Sequence, residues 1–234
     1  MSAEKGPATS ASGRPLRPAD RRLIVLRHGV TEHNRGGVWQ GHLDTELSAQ
    51  GRIQARAAAG DLAAYRPDVV VSSDLARASQ TAQVLAQACG LDIRLDERLR
   101  EVDVGAWQGM SAQEVEDAYP GVQAAILAGD DVPRGGHGET LAQVVRRATA
   151  AAAEVAEELP DGGVAVLVTH GVASRALVGG LLDWDQRATW LGLAGLGNCA
   201  WAELRQHDGR WRLFAWNVLS PNAPEANDHW QSAY

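Results

Sequence analysis

Two histidines in this chain each follow a short apolar run and precede a glycine, in Leu23-Ile-Val-Leu-Arg-His-Gly29 and in Ala165-Val-Leu-Val-Thr-His-Gly171. A neutral imidazole can attack an electrophile or exchange a proton, and two of them beside a fixed cation, Arg27, can also hold an anion. Either histidine alone would read as an ordinary loop residue. Together they say more, because apolar runs of this length predict buried parallel strands, and strands ending in His-Gly bring both rings to the carboxyl edge of one sheet, where binding crevices form. Gly29 and Gly171 allow close backbone approach at that edge.

Four more polar positions fall where strand ends and loops converge: Asn34, Arg77, Glu101 and Thr169. Two arginines, an asparagine and two histidines make a cationic pocket rich in donors, which suits a dianionic phosphate. Helix N-termini behind the loops would add backbone N–H groups aimed at the same anion. One carboxylate, Glu101, is left to handle protons, and Trp107 in Gly105-Ala-Trp-Gln-Gly109 is expected near the substrate because it follows Glu101 so closely. His33, His42 and His137 have no partner at metal-ligand spacing, so neither a metal nor another cofactor is expected.

The elements that must position these groups can be read from periodicity and punctuation. Leu47–Leu62 reads as a helix capped by Ser48, with Ile53, Ala57 and Leu62 facing inward. Asp68–Ser73 reads as a strand, Asp74–Cys89 as a helix stopped by Gly90, and Asp92–Leu95 as a short strand. Ser111-Ala-Gln-Glu114 forms a capping box for a short helix ending before Pro120. Helices at Glu139–Leu159 and Val172–Leu182 flank a strand at Val164–Val168. Strands at Asn198–Arg205 and Arg210–Trp216 close as a hairpin through Asp208-Gly209. The pattern predicts a single-domain α/β fold, a three-layer αβα sandwich around a mainly parallel sheet.

Composition bounds the partners. With 22 Lys and Arg against 29 Asp and Glu among 234 residues, the net charge is −7, so the surface as a whole repels nucleic acid and anionic membranes. The expected partner is a small molecule. Two cysteines, Cys89 and Cys199, lack the spacing of a disulfide framework or a zinc site and read as thiols in the reducing cytoplasm. Residues 1–20 read as a disordered leader, 21–220 as the domain, and 221–234 as a loose tail, with no apolar segment in the leader long enough for a signal peptide or a membrane span.

At this point the chain resembles the histidine phosphatase, or phosphoglycerate-mutase-like, superfamily, through Arg27-His-Gly-Val-Thr-Glu-His-Asn34, Ser72-Ser-Asp-Leu-Ala-Arg-Ala78, Leu99-Arg-Glu101 with Gly105-Ala-Trp-Gln-Gly109, and Thr169-His-Gly171. The resemblance spans residues 22 to about 217. It implies a metal-independent phosphatase in which His28 is the phosphorylated nucleophile, Arg27, Arg77 and His170 hold the phosphoryl oxygens with Asn34, and Glu101 is the proton donor. Gly171 and Val172 are expected to contact the substrate as well. The resemblance also makes a homodimer the expected assembly.

A narrower resemblance, to actinobacterial phosphatases acting on glucosyl-3-phosphoglycerate, rests on Gln40-Gly-His-Leu-Asp-Thr-Glu-Leu-Ser48, Val71-Ser-Ser-Asp-Leu75, Gly195-Leu-Gly-Asn198, and Trp211-Arg-Leu213 with Trp216-Asn217. It places Gln40, Gly41, Leu43 and Thr45 along the substrate mouth and Asn198 and Trp201 in a sugar-accepting cleft. Mutases of the superfamily carry a longer insertion with basic clamps after the Gly-Ala-Trp-Gln-Gly region. Here the 26 residues between Gly109 and Gly136 include one basic side chain, Arg134, which favours hydrolysis. A broad acid phosphatase, a phosphoglycerate mutase and a non-catalytic phospholigand binder are the alternatives.

Overall fold

In the computed structural model, which describes residues 20–223, the chain runs through β1 (Arg22–Arg27), the one-turn helix α1 (Glu32–Arg35), α2 (Ala49–Leu62), β2 (Val69–Ser72), α3 (Ala76–Cys89) and β3 (Ile93–Leu95). Then follow α4 (Ala112–Ala118), α5 (Val122–Leu127), α6 (Leu141–Glu158), β4 (Val164–Thr169), α7 (Gly171–Leu181), α8 (Gln186–Gly192), β5 (Trp201–His207) and β6 (Arg210–Val218). One six-stranded sheet has the order β3-β2-β4-β1-β5-β6. β1 to β4 pair in parallel, and the β5-β6 hairpin adds antiparallel strands beside β1. This is the mixed, mainly parallel αβα architecture expected from the sequence.

Alternation within the central strands builds a core on each face. Leu23 and Val25 pack with Ala148, Ala152 and Leu177 of α6 and α7. Ile24 and Leu26 point the other way, onto Ala58 of α2 and Ala82 and Leu85 of α3. All six residues of β4 are buried, as a strand covered on both faces requires. Burial of each such aliphatic side chain contributes roughly 1.5–3 kcal/mol, so the sheet centre is where much of the fold's stability is concentrated.

Local signals set the boundaries. Ser48 caps α2 by accepting the Gly51 N–H, and Ser111 and Thr140 form capping boxes on α4 and α6. Asp208 and Gly209 both take the left-handed conformation, with φ of 50° and 78°, as a two-residue hairpin turn demands.

Two expectations need correction. Ile53 is 43% exposed, and the inward face of α2 is instead Gly51, Gln54, Ala55, Ala58, Ala59 and Leu62. The cause is close approach: a Cβ on Gly51 would lie 2.2 Å from the Val30 carbonyl oxygen, so the smallest side chains face the loop after β1. The hairpin begins at Trp201 rather than Asn198, because Cys199 turns with φ 56° and donates its N–H to the Arg27 and His28 carbonyls. Helices α1, α5 and α8 carry no expectation from the sequence. The expected leader and tail, apart from Asp20 and residues 221–223, lie outside the described residues.

The chain leaves β1 for α2 on one face and leaves β4 for α7 on the opposite face, which opens a crevice between the carboxyl ends of two adjacent strands. A third apolar cluster, including Trp39, Val102, Val104, Trp107, Val172 and Trp190, forms the wall beside it.

Candidate active site

Strand register decides what meets in the crevice. Arg27 pairs with Thr169 and Ser72 with Val168, so His28, His170 and Ser73 emerge side by side. The His28 amide donates to the Thr169 carbonyl at 2.9 Å. Behind His28 the chain is pressed onto α2 and α3: a Cβ on Gly29 would sit 2.6 Å from the Gly51 carbonyl oxygen, the Val30 N–H donates to Gln54, and the Gly29 N–H donates to Thr81 of α3. The glycine at this position is therefore required by packing.

His28 is 2% exposed and lines the cleft. Its Nδ1 lies 2.7 Å from the Gly29 carbonyl oxygen, which can only accept, so Nδ1 carries the proton and Nε2 keeps the lone pair. Burial, and then the positive charges of Arg77 and Arg27, hold its pKa well below the usual histidine value. The ring is neutral at physiological pH. His170, wholly buried, packs 5.1 Å from it at an interplanar angle of 60°. Its Nε2 is 2.9 Å from the Ser73 hydroxyl, and its Nδ1 has no partner among the described residues. Burial, Arg77 and the neighbouring His28 lower its pKa likewise.

A small cleft, partly open to solvent, is lined by Arg27, His28, Asn34, Trp39, Gln40, Gly41, Arg77, Glu101, Val102, Val104 and Val172. Arg27 is braced by the Leu196 carbonyl. Arg77, in the first turn of α3, is braced by the Gly41 and Leu43 carbonyls at 2.8 and 2.7 Å. Gln40 accepts from the Thr31 and Thr45 hydroxyls through its amide oxygen, which leaves its NH₂ group for the cleft. Asn34 likewise has its oxygen occupied, by the Thr31 N–H at 3.1 Å. Two cations and two amide donors thus converge on one small volume in a chain of net charge −7. Such an arrangement binds a dianion.

Glu101 closes the opposite wall. One carboxylate oxygen accepts the Val102 and Ala173 N–H groups at 2.9 and 3.0 Å, and the other accepts the Val172 N–H at 3.2 Å, at the start of α7. Gly171 leaves room beside it: a Cβ there would only touch the Arg27 guanidinium and the Glu101 carboxylate at 3.5–3.6 Å.

Several sequence-derived candidates lie behind this lining. Leu43 and Thr45 contribute a carbonyl and a hydroxyl that hold Arg77 and Gln40, and their side chains are not part of the cleft wall. Trp107 is buried one layer back, against Trp39 at 5.3 Å and Tyr119 at 5.9 Å; the wall aromatic is Trp39, two residues after Gly37 on the far side of the His28 loop. Thr169 spends its hydroxyl on the Leu99 carbonyl. Asn198 donates to the His28 carbonyl at 3.0 Å and so steadies the loop that carries His28, while Trp201 is a core residue of β5. Among residues the sequence reading missed, Trp39 and Val104 were adjacent to expected ones and Ser73 lies inside the Ser72–Ala78 motif without an assigned role, but Arg147 carried no local signal because the carbonyls it holds are distant in sequence. Among the described residues, no group of three or more His, Cys, Asp or Glu side chains could hold a metal ion.

Comparison with known proteins gives a consistent picture. The family described as Histidine phosphatase superfamily (branch 1) matches residues 23–219. A glucosyl-3-phosphoglycerate phosphatase of Mycolicibacterium vanbaalenii is 42% identical over 226 residues, 89% of this chain and 98% of that relative. A probable phosphoglycerate mutase of Enterobacter sp. strain 638 is 33% identical over 84% of this chain and 90% of its own length. The solved mycobacterial glucosyl-3-phosphoglycerate phosphatase in complex with VO3 superposes with a TM-score of 0.80 at 41% identity, covering 85% of this chain and 99% of that structure.

Proposed function

This chain belongs to the histidine phosphatase superfamily, and on that premise we propose that it removes the phosphate of glucosyl-3-phosphoglycerate through a phosphohistidine intermediate at His28. The observation that carries this reading is a buried neutral imidazole whose Nδ1 is tied to the Gly29 carbonyl while Arg27 and Arg77 share its cleft.

His28 Nε2 attacks phosphorus and the ester P–O bond breaks. Arg27 and Arg77 carry the charge of the equatorial oxygens, with Asn34 and Gln40 as neutral donors. His170, with unmet hydrogen-bonding capacity at Nδ1 beside the nucleophile, serves the same oxygens. The carboxyl of Glu101 gives its proton to the departing alkoxide. It then takes one from the water that attacks the phosphohistidine, breaking the P–N bond and releasing inorganic phosphate. Dividing one displacement into two, each with a positioned acid or base, is worth roughly 10²–10⁴-fold for the proton-transfer component alone.

Hydrolysis is favoured over phosphoryl transfer between substrates. Arg134, the one basic residue between Gly109 and Gly136, is 2% exposed, donates to the Val132 carbonyl and lies 5.9 Å from the Trp190 ring, so it does not reach into the cleft as a carboxylate clamp. A binding protein without activity would lack one of the chemical groups named above, and each is present. The scheme needs no metal ion, so activity in EDTA should be unchanged. No described helix is long and apolar enough to cross a membrane. A cytoplasmic homodimer is the expected state, checked by light scattering.

Substrate choice is tested by kcat/KM for glucosyl-3-phosphoglycerate against 3-phosphoglycerate, sugar phosphates, nucleotides and an aryl phosphate. Preference for the glucosylated ester by orders of magnitude supports this reading; comparable values across the panel identify a broad phosphatase.

A further inference from the structure

The loop that carries Glu101 has little regular structure of its own, yet each of its carbonyls from residue 98 to 101 is held by a side chain from elsewhere. Arg147, in the middle of α6, donates through Nη1 to the Arg98 and Arg100 carbonyls at 2.8 and 2.7 Å and through Nη2 to the Glu101 carbonyl at 2.8 Å. Thr169 takes the Leu99 carbonyl. The Arg147 guanidinium is itself fixed by Glu139, with Nε to one oxygen at 2.8 Å and Nη2 to the other at 2.7 Å. Glu139 also accepts the Asp103 N–H, on the far side of Glu101. From the opposite direction His42 Nε2 donates to the same Glu101 carbonyl at 2.9 Å.

His42 stands between Gly41 and Leu43, whose carbonyls brace Arg77. One histidine therefore joins the loop that holds the phosphate-facing arginine to the loop that holds the acid. An acid must lie within hydrogen-bond reach of the leaving oxygen, and displacement by about 1 Å can cost on the order of 10²-fold. A bidentate Arg–carboxylate pair resists such displacement better than a lone contact.

We infer that Arg147, locked by Glu139 and assisted by His42, is a positioning residue for leaving-group protonation by Glu101. The inference rests on the role of Glu101 proposed above. Arg147 touches neither the cleft nor the reacting atoms, so, apart from its charge near His170, its effect passes through the Glu101 loop. Protonation matters most when the leaving alkoxide is strongly basic and least when an acidic phenol departs.

Arg147→Lys keeps the charge near His170 but cannot span three carbonyls and a carboxylate. Its kcat/KM should fall by roughly 10–10²-fold on an alkyl phosphate monoester while changing by less than about threefold on an aryl phosphate with an acidic phenol. His42→Phe should show the same selectivity more weakly, and His42→Gln, which can restore an amide N–H, should recover most of it. In a Glu101→Ala background, Arg147→Lys should add no more than about twofold, because both changes act on one group. The His42 variants preserve the test should Arg147→Lys unfold the loop. Equal losses on both ester types, or an undiminished loss in the Glu101→Ala background, would overturn the inference. Absence of leaving-group selectivity in Glu101→Ala alone would remove the assignment of Glu101, and the positioning role with it.

Discussion

Acid should destabilise this protein well above the pH at which carboxylates titrate, and the two buried histidines set the magnitude. His28 and His170 are held neutral in the folded state by burial and by the arginines beside them. In the unfolded chain each titrates with the ordinary value of 6.5. Unfolding therefore takes up protons below that value, and stability falls as pH falls. A ring that stays wholly neutral when folded contributes at most about 1.4 kcal/mol of loss between pH 7.5 and 5.5, so the pair sets a ceiling of about 2.7 kcal/mol. For a domain of this size that corresponds to a drop of roughly 5–10 °C in Tm. The depressed carboxylates Asp74, Asp96 and Glu139 lose their stabilisation only at lower pH, as protonation approaches their folded pKa values, so they do not confuse this window. Urea midpoints measured at both pH values, for the wild type and for a His28→Asn/His170→Asn double variant, separate the histidine contribution. The double variant should be nearly flat. A wild-type loss under about 0.5 kcal/mol, or one equally large in the double variant, would refute the claim that both rings are neutral in the folded site.

Other consequences are more local. Arg77→Met removes a cation together with the brace to the Gly41 and Leu43 carbonyls, and should lower kcat by roughly 10²–10³-fold while abolishing thermal stabilisation by inorganic phosphate; a retained phosphate-induced shift in Tm would argue against Arg77 as an anion ligand. Gly51→Ala drives a Cβ onto the Val30 carbonyl and should destabilise by about 1–3 kcal/mol in urea titrations, with reduced turnover because His28 lies on the displaced loop. Thr140→Ala removes the α6 cap and should cost about 1 kcal/mol without altering KM.

What the sequence disclosed depended on whether the determinant was local. The His-Gly motifs after apolar runs, the capping serines and the Asp-Gly hairpin are each decided within a few residues; the strand ends they mark bring the two imidazoles together and set His28, Arg27, Arg77, Asn34 and Glu101 around one cleft, whereas Gln40 was legible only through the family resemblance. Ile53 was misread because apolar periodicity assumes that bulk points inward, whereas the close contact of Gly51 with Val30 reverses the preference. Trp107 and Trp39 exchange places because sequence proximity to Glu101 says nothing about which ring of a tilted, buried pair lines the cleft. Arg147, Ser73 and Asn198 act through partners 46 to 170 residues away, distances at which no spacing rule operates.

The central claim is that phosphorus becomes bonded to the imidazole of His28, and rapid-quench trapping tests it most directly. Enzyme mixed with a radiolabelled phosphomonoester and stopped in alkali within one turnover should carry acid-labile, alkali-stable label on the peptide containing His28, and His28→Ala should neither carry label nor release phosphate. Phosphate release by the His28→Ala variant, with no label on that peptide in the wild type, would contradict the account.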